Sequence, residues 1–209
     1  MPDSPPPGIY LATPRTCVAE DFCVALEPVL QGFDIACLRI TTAASEDERE
    51  LLLSAARISE VARRCDVPVV LETHYRIARR LELDGVHLSD GPRHVREARK
   101  ALGPGAIVGA HCGASRHAGI GAAETGCDYV SFGPVGKSQL LGDGANAGKE
   151  LFAWWQEMIE IPVVAEGALT PQLASDLRQS IDFLCLGSEI WAHPDGAEKA
   201  LTEYLERLR

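Results

Sequence analysis

The chain has little of what marks several common protein classes. It contains no apolar run approaching the ~20 residues needed to cross a bilayer. Its opening, MPDSPPPGIYLATP, is acidic and proline-rich and has no basic region followed by a long apolar stretch, so it does not read as a secretory signal. Seven cysteines are present, at 17, 23, 37, 65, 112, 127 and 185, but none form C-x-x-C, and the odd count with several in apolar runs argues against both a disulfide framework and a cysteine zinc site. The expectation is reduced, buried thiols in a cytoplasmic protein. Positive charge is also in deficit. A formal net charge of -10 repels phosphate backbones and argues against a nucleic-acid partner, while leaving an anionic small ligand open. Finally, no G-x-G-x-x-G follows the first strand candidate, where PRTCVAED stands, which weakens the case for a dinucleotide site on an open doubly wound sheet.

What the chain does have is a regular alternation. Short apolar runs fall at Ile9–Thr13, Ile35–Ile40, Pro68–Leu71, Gly85–Leu88, Ala106–Ala110, Tyr129–Phe132, Pro162–Ala165 and Phe183–Leu186. Amphipathic stretches separate them, such as Glu46–Arg64 with Leu51, Leu52, Ala55, Ile58 and Val61 at helical spacing, and likewise Arg93–Leu102 and Glu150–Ile159. The runs are near-continuous rather than alternating, as in parallel strands covered on both faces. Eight such β-then-α beats within 209 residues predict a small (β/α)8 TIM barrel, an α/β fold. No linker or composition break divides the chain, so 1–209 is expected to be a single domain, with residues 1–8 as a Pro-rich N-terminal tail.

In such a barrel, chemistry belongs at the C-terminal ends of the strands. That rim collects Arg39, Glu72, Thr73, His87, Ser89, Asp90, His111, Cys112, Gly133, Glu166, Gly167, Gly187 and Ser188. Three chemistries suggest themselves. The seventh and eighth strands run into AEGAL and LGSEI, so backbone N–H groups near Gly167, Ala168, Gly187 and Ser188 could hold a phosphate; tight βα turns are the plainer account of the same glycines. VGAHCGASRH places His111, Cys112, Ser115, Arg116 and His117 together, with His111 as an acid/base candidate. On residues alone, a surface loop capped by Ser115 explains that stretch better. His87, Asp90 and His94 match no strong metal signature, and magnesium would want the carboxylates Glu72 and Asp90.

Taken together, DGVHLSD, GPGAIVGAHCGASRHAGIGAAETGCDYVSFGPV and WWQEMIEIPVVAEGALT resemble thiamine phosphate synthase and its relative the thiazole tautomerase (TenI-like), over about Ile9 to Trp191. The GCDYVSFGPV and IPVVAEGALT segments are the specific ones; IYLAT is not. The resemblance implies a (β/α)8 barrel, small phosphorylated ligands, a homo-oligomer, and a Mg2+-assisted reaction. In that reaction an aminopyrimidine diphosphate loses pyrophosphate and the pyrimidine is captured by the ring nitrogen of a thiazole phosphate. Positioning and charge stabilisation would carry the rate.

Residue by residue, the pattern is altered. The family's Q-L-R-x-K at the second strand is Cys37-Leu38-Arg39-Ile40-Thr41 here, so only Arg39 remains for the diphosphate. The N-D-R of the third strand is Glu72-Thr73-His74, and the H-L-G-Q-x-D of the fourth keeps His87 and Leu88, with Asp90 in the Gln place and Pro92 in the metal-ligand place. The tautomerase's catalytic His corresponds to Gly113, with His111 two residues earlier. Lys137, in Gly136-Lys137-Ser138, stands near the family's phosphate-loop lysine but out of register. The usual I-G-G-I is Glu166-Gly167-Ala168-Leu169, an anionic side chain beside a phosphate loop, and the final V-S is Leu186-Gly187 followed by Ser188. The expected assignments are therefore Arg39, Glu72 and His111 as catalytic, His87, Lys137, Gly167, Ala168, Gly187 and Ser188 as substrate-binding, and Glu72 with Asp90 for a metal. Three functions stay open: a synthase-like transferase with altered motifs, an isomerase using His111 or Glu72, and a non-catalytic barrel that binds phosphorylated ligands.

Overall fold

The computed structural model describes residues 5–43, 47–137 and 145–208. Eight parallel strands close into one barrel in chain order. They are β1 (Gly8–Ala12), β2 (Ile35–Ile40), β3 (Val69–Glu72), β4 (Gly85–Leu88), β5 (Ile107–His111), β6 (Tyr129–Phe132), β7 (Val163–Glu166) and β8 (Phe183–Leu186). The ring is completed where β1 pairs with β8, Leu11 opposite Leu186. The outer helices are α1 (Ala19–Gly32), α2 (Glu48–Arg64), α3 (Tyr75–Arg80), α4 (Val95–Leu102), α5 (Arg116–Thr125), α6 (Lys149–Met158), α7 (Pro171–Leu177), α8 (Ser188–Trp191) and α9 (Ala197–Leu208).

Each expected apolar run is a strand, within a residue or two at either end. Several ends move for one reason: parallel pairing carries β3, β5 and β7 one residue further, so Glu72, His111 and Glu166 are the last residues of their strands rather than the first of the loops. Helix α2 begins at Glu48 among the described residues; its expected start at Glu46, residues 1–4 of the tail, and Ser138 lie outside them. Gly8, expected in the tail, opens β1, its N–H donated to the Asp182 carbonyl at 2.9 Å.

Two cores result. The outward strand faces and the helix stripes form the larger one, including Leu11, Leu26, Leu38, Ile58, Leu71, Phe132, Phe152 and Trp155. Tyr10, Ala12, Val70, Tyr129, Val164 and Cys185 form a separate cluster inside the barrel. This follows from the two-residue period of a strand, which sends alternate side chains inward. Gly109 is required by that interior: a Cβ there would lie 2.0 Å from the Tyr129 ring. At the opposite end of the strands from the rim, Asp84, Asp128 and Asp182 each precede an even strand and accept the N–H of a residue in the preceding strand, Val69, Val108 and Val163, at 2.7, 2.6 and 2.8 Å. These contacts fix the register on the stability face of the barrel.

Candidate active site

The inward positions change character towards the C-terminal end of the strands. Above the Tyr10–Tyr129 layer lie Arg39, Glu72, His87, Ser131 and Glu166, all buried. Burying such groups is costly unless they pair, and the structure pairs them. The Arg39 guanidinium meets the Glu166 carboxylate at 2.5 Å, from β2 to β7 across the interior. The same carboxylate accepts from His111 Nδ1 at 2.7 Å and from the Ser131 hydroxyl at 2.5 Å. Below, a chain of hydrogen bonds runs from the Tyr10 hydroxyl to that of Tyr129 (2.7 Å) and on to His87 Nδ1 (2.9 Å).

This burial sets the protonation states. Desolvation alone would raise the Glu166 pKa, but Arg39 and then His111 hold it well below the ordinary carboxylate range, so Glu166 is an anion. Burial, reinforced by Arg39, pushes His87 well below the usual imidazole value, so it is neutral near pH 7. Two buried polar atoms have no partner among the described residues, Arg39 Nε and His111 Nε2.

A second group stands nearer the mouth. Glu72 receives both guanidinium nitrogens of Arg15, at 3.1 and 3.2 Å, and the Thr42 amide at 2.9 Å. Arg15 also donates to the Thr42 carbonyl at 3.0 Å. Next to Glu72, Thr73 is bent into the left-handed region at φ 64, uncommon for a β-branched residue, and its hydroxyl lies 2.8 Å from that of Ser89. Asp90 is paired with His94 at 2.5 Å.

Both groups open into one cavity of about 970 Å³ at the C-terminal mouth. Of the residues expected at the site, Arg39, Glu72, His87, Asp90 and His111 line it; Lys137, Gly167, Ala168, Gly187 and Ser188 do not appear in its lining among the described residues. Lys137 is exposed, while Gly167 and Ala168 shape a turn with φ values of 87 and 50. Ser115 caps α5 by accepting the Ala118 amide, as its place in the sequence suggests. Arg15 was not singled out from the sequence, and Ser131, Tyr129 and Tyr10 were read only as strand. Their signal was available: Tyr129 and Ser131 alternate with Val130 and Phe132, giving a polar inward stripe inside an otherwise apolar run.

Among the described residues no three His, Cys, Asp or Glu side chains converge as a metal group. Glu72 is committed to Arg15 and Thr42, and Asp90 to His94. The residues present do not fit a carboxylate-held magnesium.

A closed (β/α)8 barrel with one large bowl, lined by charged and hydrogen-bonding side chains, at the strands' C-terminal ends has the architecture of the barrel-enzyme class. The thiamine monophosphate synthase family model matches residues 9–190. The thiamine-phosphate synthase of Rhodospirillum centenum is 34% identical over 202 residues, covering 96% of this chain and 97% of that protein. That of Erythrobacter litoralis is 36% identical over 160 residues, covering 75% and 74%. A solved structure of thiamine phosphate pyrophosphorylase from Pyrococcus furiosus superimposes with a TM-score of 0.82 at 21% identity, covering 96% of this chain and 95% of that one, a likeness of fold. The chain belongs to the thiamine monophosphate synthase family. No helix among the described residues is long and apolar enough to cross a membrane.

Proposed function

We propose that the chain is a thiamine phosphate synthase-type transferase. It would join the ring nitrogen of a thiazole phosphate to the methylene carbon of an aminopyrimidine diphosphate, forming the C–N bond as the C–O bond to pyrophosphate breaks. One observation carries the reading: a cavity of about 970 Å³, ample for two small ligands, gathers Arg15, Arg39, His87 and His111 at the face where the family's fold does its chemistry. Arg15, half-exposed at the mouth, is the cation best placed to meet the departing pyrophosphate, exchanging Glu72 for it. Arg39 is held by Glu166 and contributes a fixed dipole with its unpartnered Nε. Neutral His87 supplies a hydrogen-bonding edge without adding charge. Because both arginines already hold carboxylates, ligand binding competes with internal pairing, and slow turnover is expected. The unpaired thiols Cys23, Cys37, Cys65, Cys112, Cys127 and Cys185 suit a cytoplasmic setting, and we take the working unit to be a homo-oligomer, as in the resemblance drawn from sequence.

The test is direct. Purified protein given both phosphorylated substrates with Mg2+ should form thiamine phosphate and pyrophosphate together, faster than buffer alone, and Arg15→Ala should slow it. No product above the buffer control rejects the reading.

A specific observation favours a second reading. Glu166 accepts the Nδ1 proton of His111, which orients the ring and leaves Nε2 as the nitrogen without a partner among the described residues. That is a device for moving a proton, which the coupling reaction scarcely needs. A phosphorylated thiazole ligand taking up deuterium from D2O at carbon, with the uptake lost in His111→Ala, would identify an isomerase.

A further inference from the structure

Among the described residues, three carboxylates line the bowl, Glu72, Asp90 and Glu166, and each is engaged by the chain itself. Asp90 is held by His94, and Glu166 by Arg39, His111 and Ser131. Glu72 is held by a cation. Arg15 meets it with one guanidinium nitrogen on each carboxylate oxygen, at 3.1 and 3.2 Å. A positive charge therefore already occupies the carboxylate nearest the mouth, where a carboxylate-held divalent cation would have to sit.

The position of Arg15 is built into the fold. It lies on the loop between β1 and α1, and that loop is clasped to the end of β2. The Thr13 amide is donated to the Arg39 carbonyl at 2.9 Å, the Thr41 amide to the Thr13 hydroxyl at 3.0 Å, and the Thr41 hydroxyl to the Thr13 carbonyl at 2.8 Å. Both threonines are buried. Two residues beyond Thr13, the Arg15 guanidinium spans the Thr42 carbonyl and Glu72 while its side chain stays half-exposed. A guanidinium has five N–H donors in one plane, and this cradle uses three of them. The remaining donors can meet a ligand's oxygens before Glu72 lets go. A guanidinium and Mg2+ reaching for the same diphosphate oxygens repel each other, so the bowl favours the anion without its metal.

Given the reading above, on which this rests, that the bowl receives a diphosphate donor, we infer that Arg15 stands in for a divalent cation: the bowl takes a free diphosphate group and needs no metal to hold it. When the C–O bond breaks, its electron pair goes to the diphosphate oxygen, and the Arg15 N–H donors meet the added charge. In solution Mg2+ chelates pyrophosphate and withdraws the species this bowl takes. Added magnesium then weakens binding, the reverse of what a metal clamp gives.

Pyrophosphate alone is the probe, titrated calorimetrically into the whole protein in EDTA and again in excess MgCl2 at matched ionic strength. The unaltered protein should bind in EDTA, and magnesium should raise the apparent dissociation constant about tenfold. Arg15→Ala should raise the constant in EDTA by about tenfold, and Arg15→Lys, which keeps the charge but loses the fork, should fall between. Glu72→Gln frees Arg15 from its internal partner and leaves an oxygen for the Thr42 amide, so it guards against a folding defect; it should bind pyrophosphate more tightly in EDTA. An affinity that magnesium creates or tightens, or one that Arg15→Ala leaves unchanged, overturns the inference while the diphosphate reading stands. Binding in neither buffer removes both. A second arm follows product from both phosphorylated substrates: the rate in EDTA should lie within about twofold of that in Mg2+, and a rate that EDTA abolishes and Mg2+ restores overturns the inference. If no product forms in either buffer, the coupling reading fails, and the pyrophosphate titration still decides the role of Arg15.

Discussion

Arg39 and Glu166, 127 residues apart in sequence, meet at 2.5 Å in the centre of the barrel as a closed, buried ion pair. The pair joins β2 to β7, and its Arg39 adds to the burial that lowers the His87 pKa. Removing one partner strands a buried charge, which typically costs 3–5 kcal/mol, roughly the stability of a marginal domain. Glu166→Gln and Arg39→Met should each lower unfolding free energy by several kcal/mol in urea titrations. The double variant should cost clearly less than the sum, since it buries no unpaired ion. An additive result would show that the pair does not couple.

Acid sensitivity follows from the same neighbourhood. His87 has a folded pKa below its unfolded value, so between the two the unfolded chain binds more protons and stability falls as pH drops below about 6.5. Glu166 is also depressed when folded; its contribution is complete above about pH 4.3 and is lost as pH falls through the lower folded value. Melting temperature should therefore begin to fall between about pH 6.5 and 5, and His87→Gln should flatten that segment while leaving the steeper loss in stronger acid. A flat profile in the unaltered protein down to that stronger acid contradicts the assignment of a neutral, buried His87.

Inside the barrel, Gly109→Ala forces a methyl group against the Tyr129 ring, which is held on either side by Tyr10 and His87. Overpacking of this kind costs typically 1–3 kcal/mol. Tyr129→Phe leaves the Tyr10 hydroxyl and His87 Nδ1 without their shared partner and should cost about 1–3 kcal/mol for the unsatisfied groups. Both are read by chemical denaturation, with a circular-dichroism spectrum confirming the fold.

Magnesium alone should not stabilise the protein. Glu72 and Asp90 are engaged by Arg15, Thr42 and His94, and a cation that finds no free carboxylate has no preferential affinity for the folded state. Adding a few millimolar MgCl2 is expected to leave the melting temperature within about 1 °C. A saturable rise that disappears in Glu72→Gln would establish a metal site here.

The barrel was legible because its outer core is written in runs such as Val69-Val70-Leu71 and Phe183-Leu184-Cys185-Leu186, bounded by glycine, proline and aspartate. Arg39, Glu72, His87 and His111 were legible because strand ends in a barrel converge. The partners were not. That Glu166 takes Arg39 and His111, that Arg15 takes Glu72, and that Glu189 takes two loop amides are contacts across 127, 55, 57 and, at the longer loop amide, 20 residues, fixed by closure of the ring rather than by local pattern. The stretch LETHYR illustrates the difference. Its carboxylate is visible in the sequence, but only the fold shows that Arg15 and the Thr42 amide hold it.

The most direct measurement is a crystal structure of the protein soaked with pyrophosphate and thiazole phosphate at saturating concentration. Pyrophosphate lying in the bowl against Arg15, with Glu72 released from it and the thiazole ring facing His111, is the predicted result. An empty bowl, with both ligands bound only on the outer helices, would contradict the assignment of this cavity as the place where the two are joined.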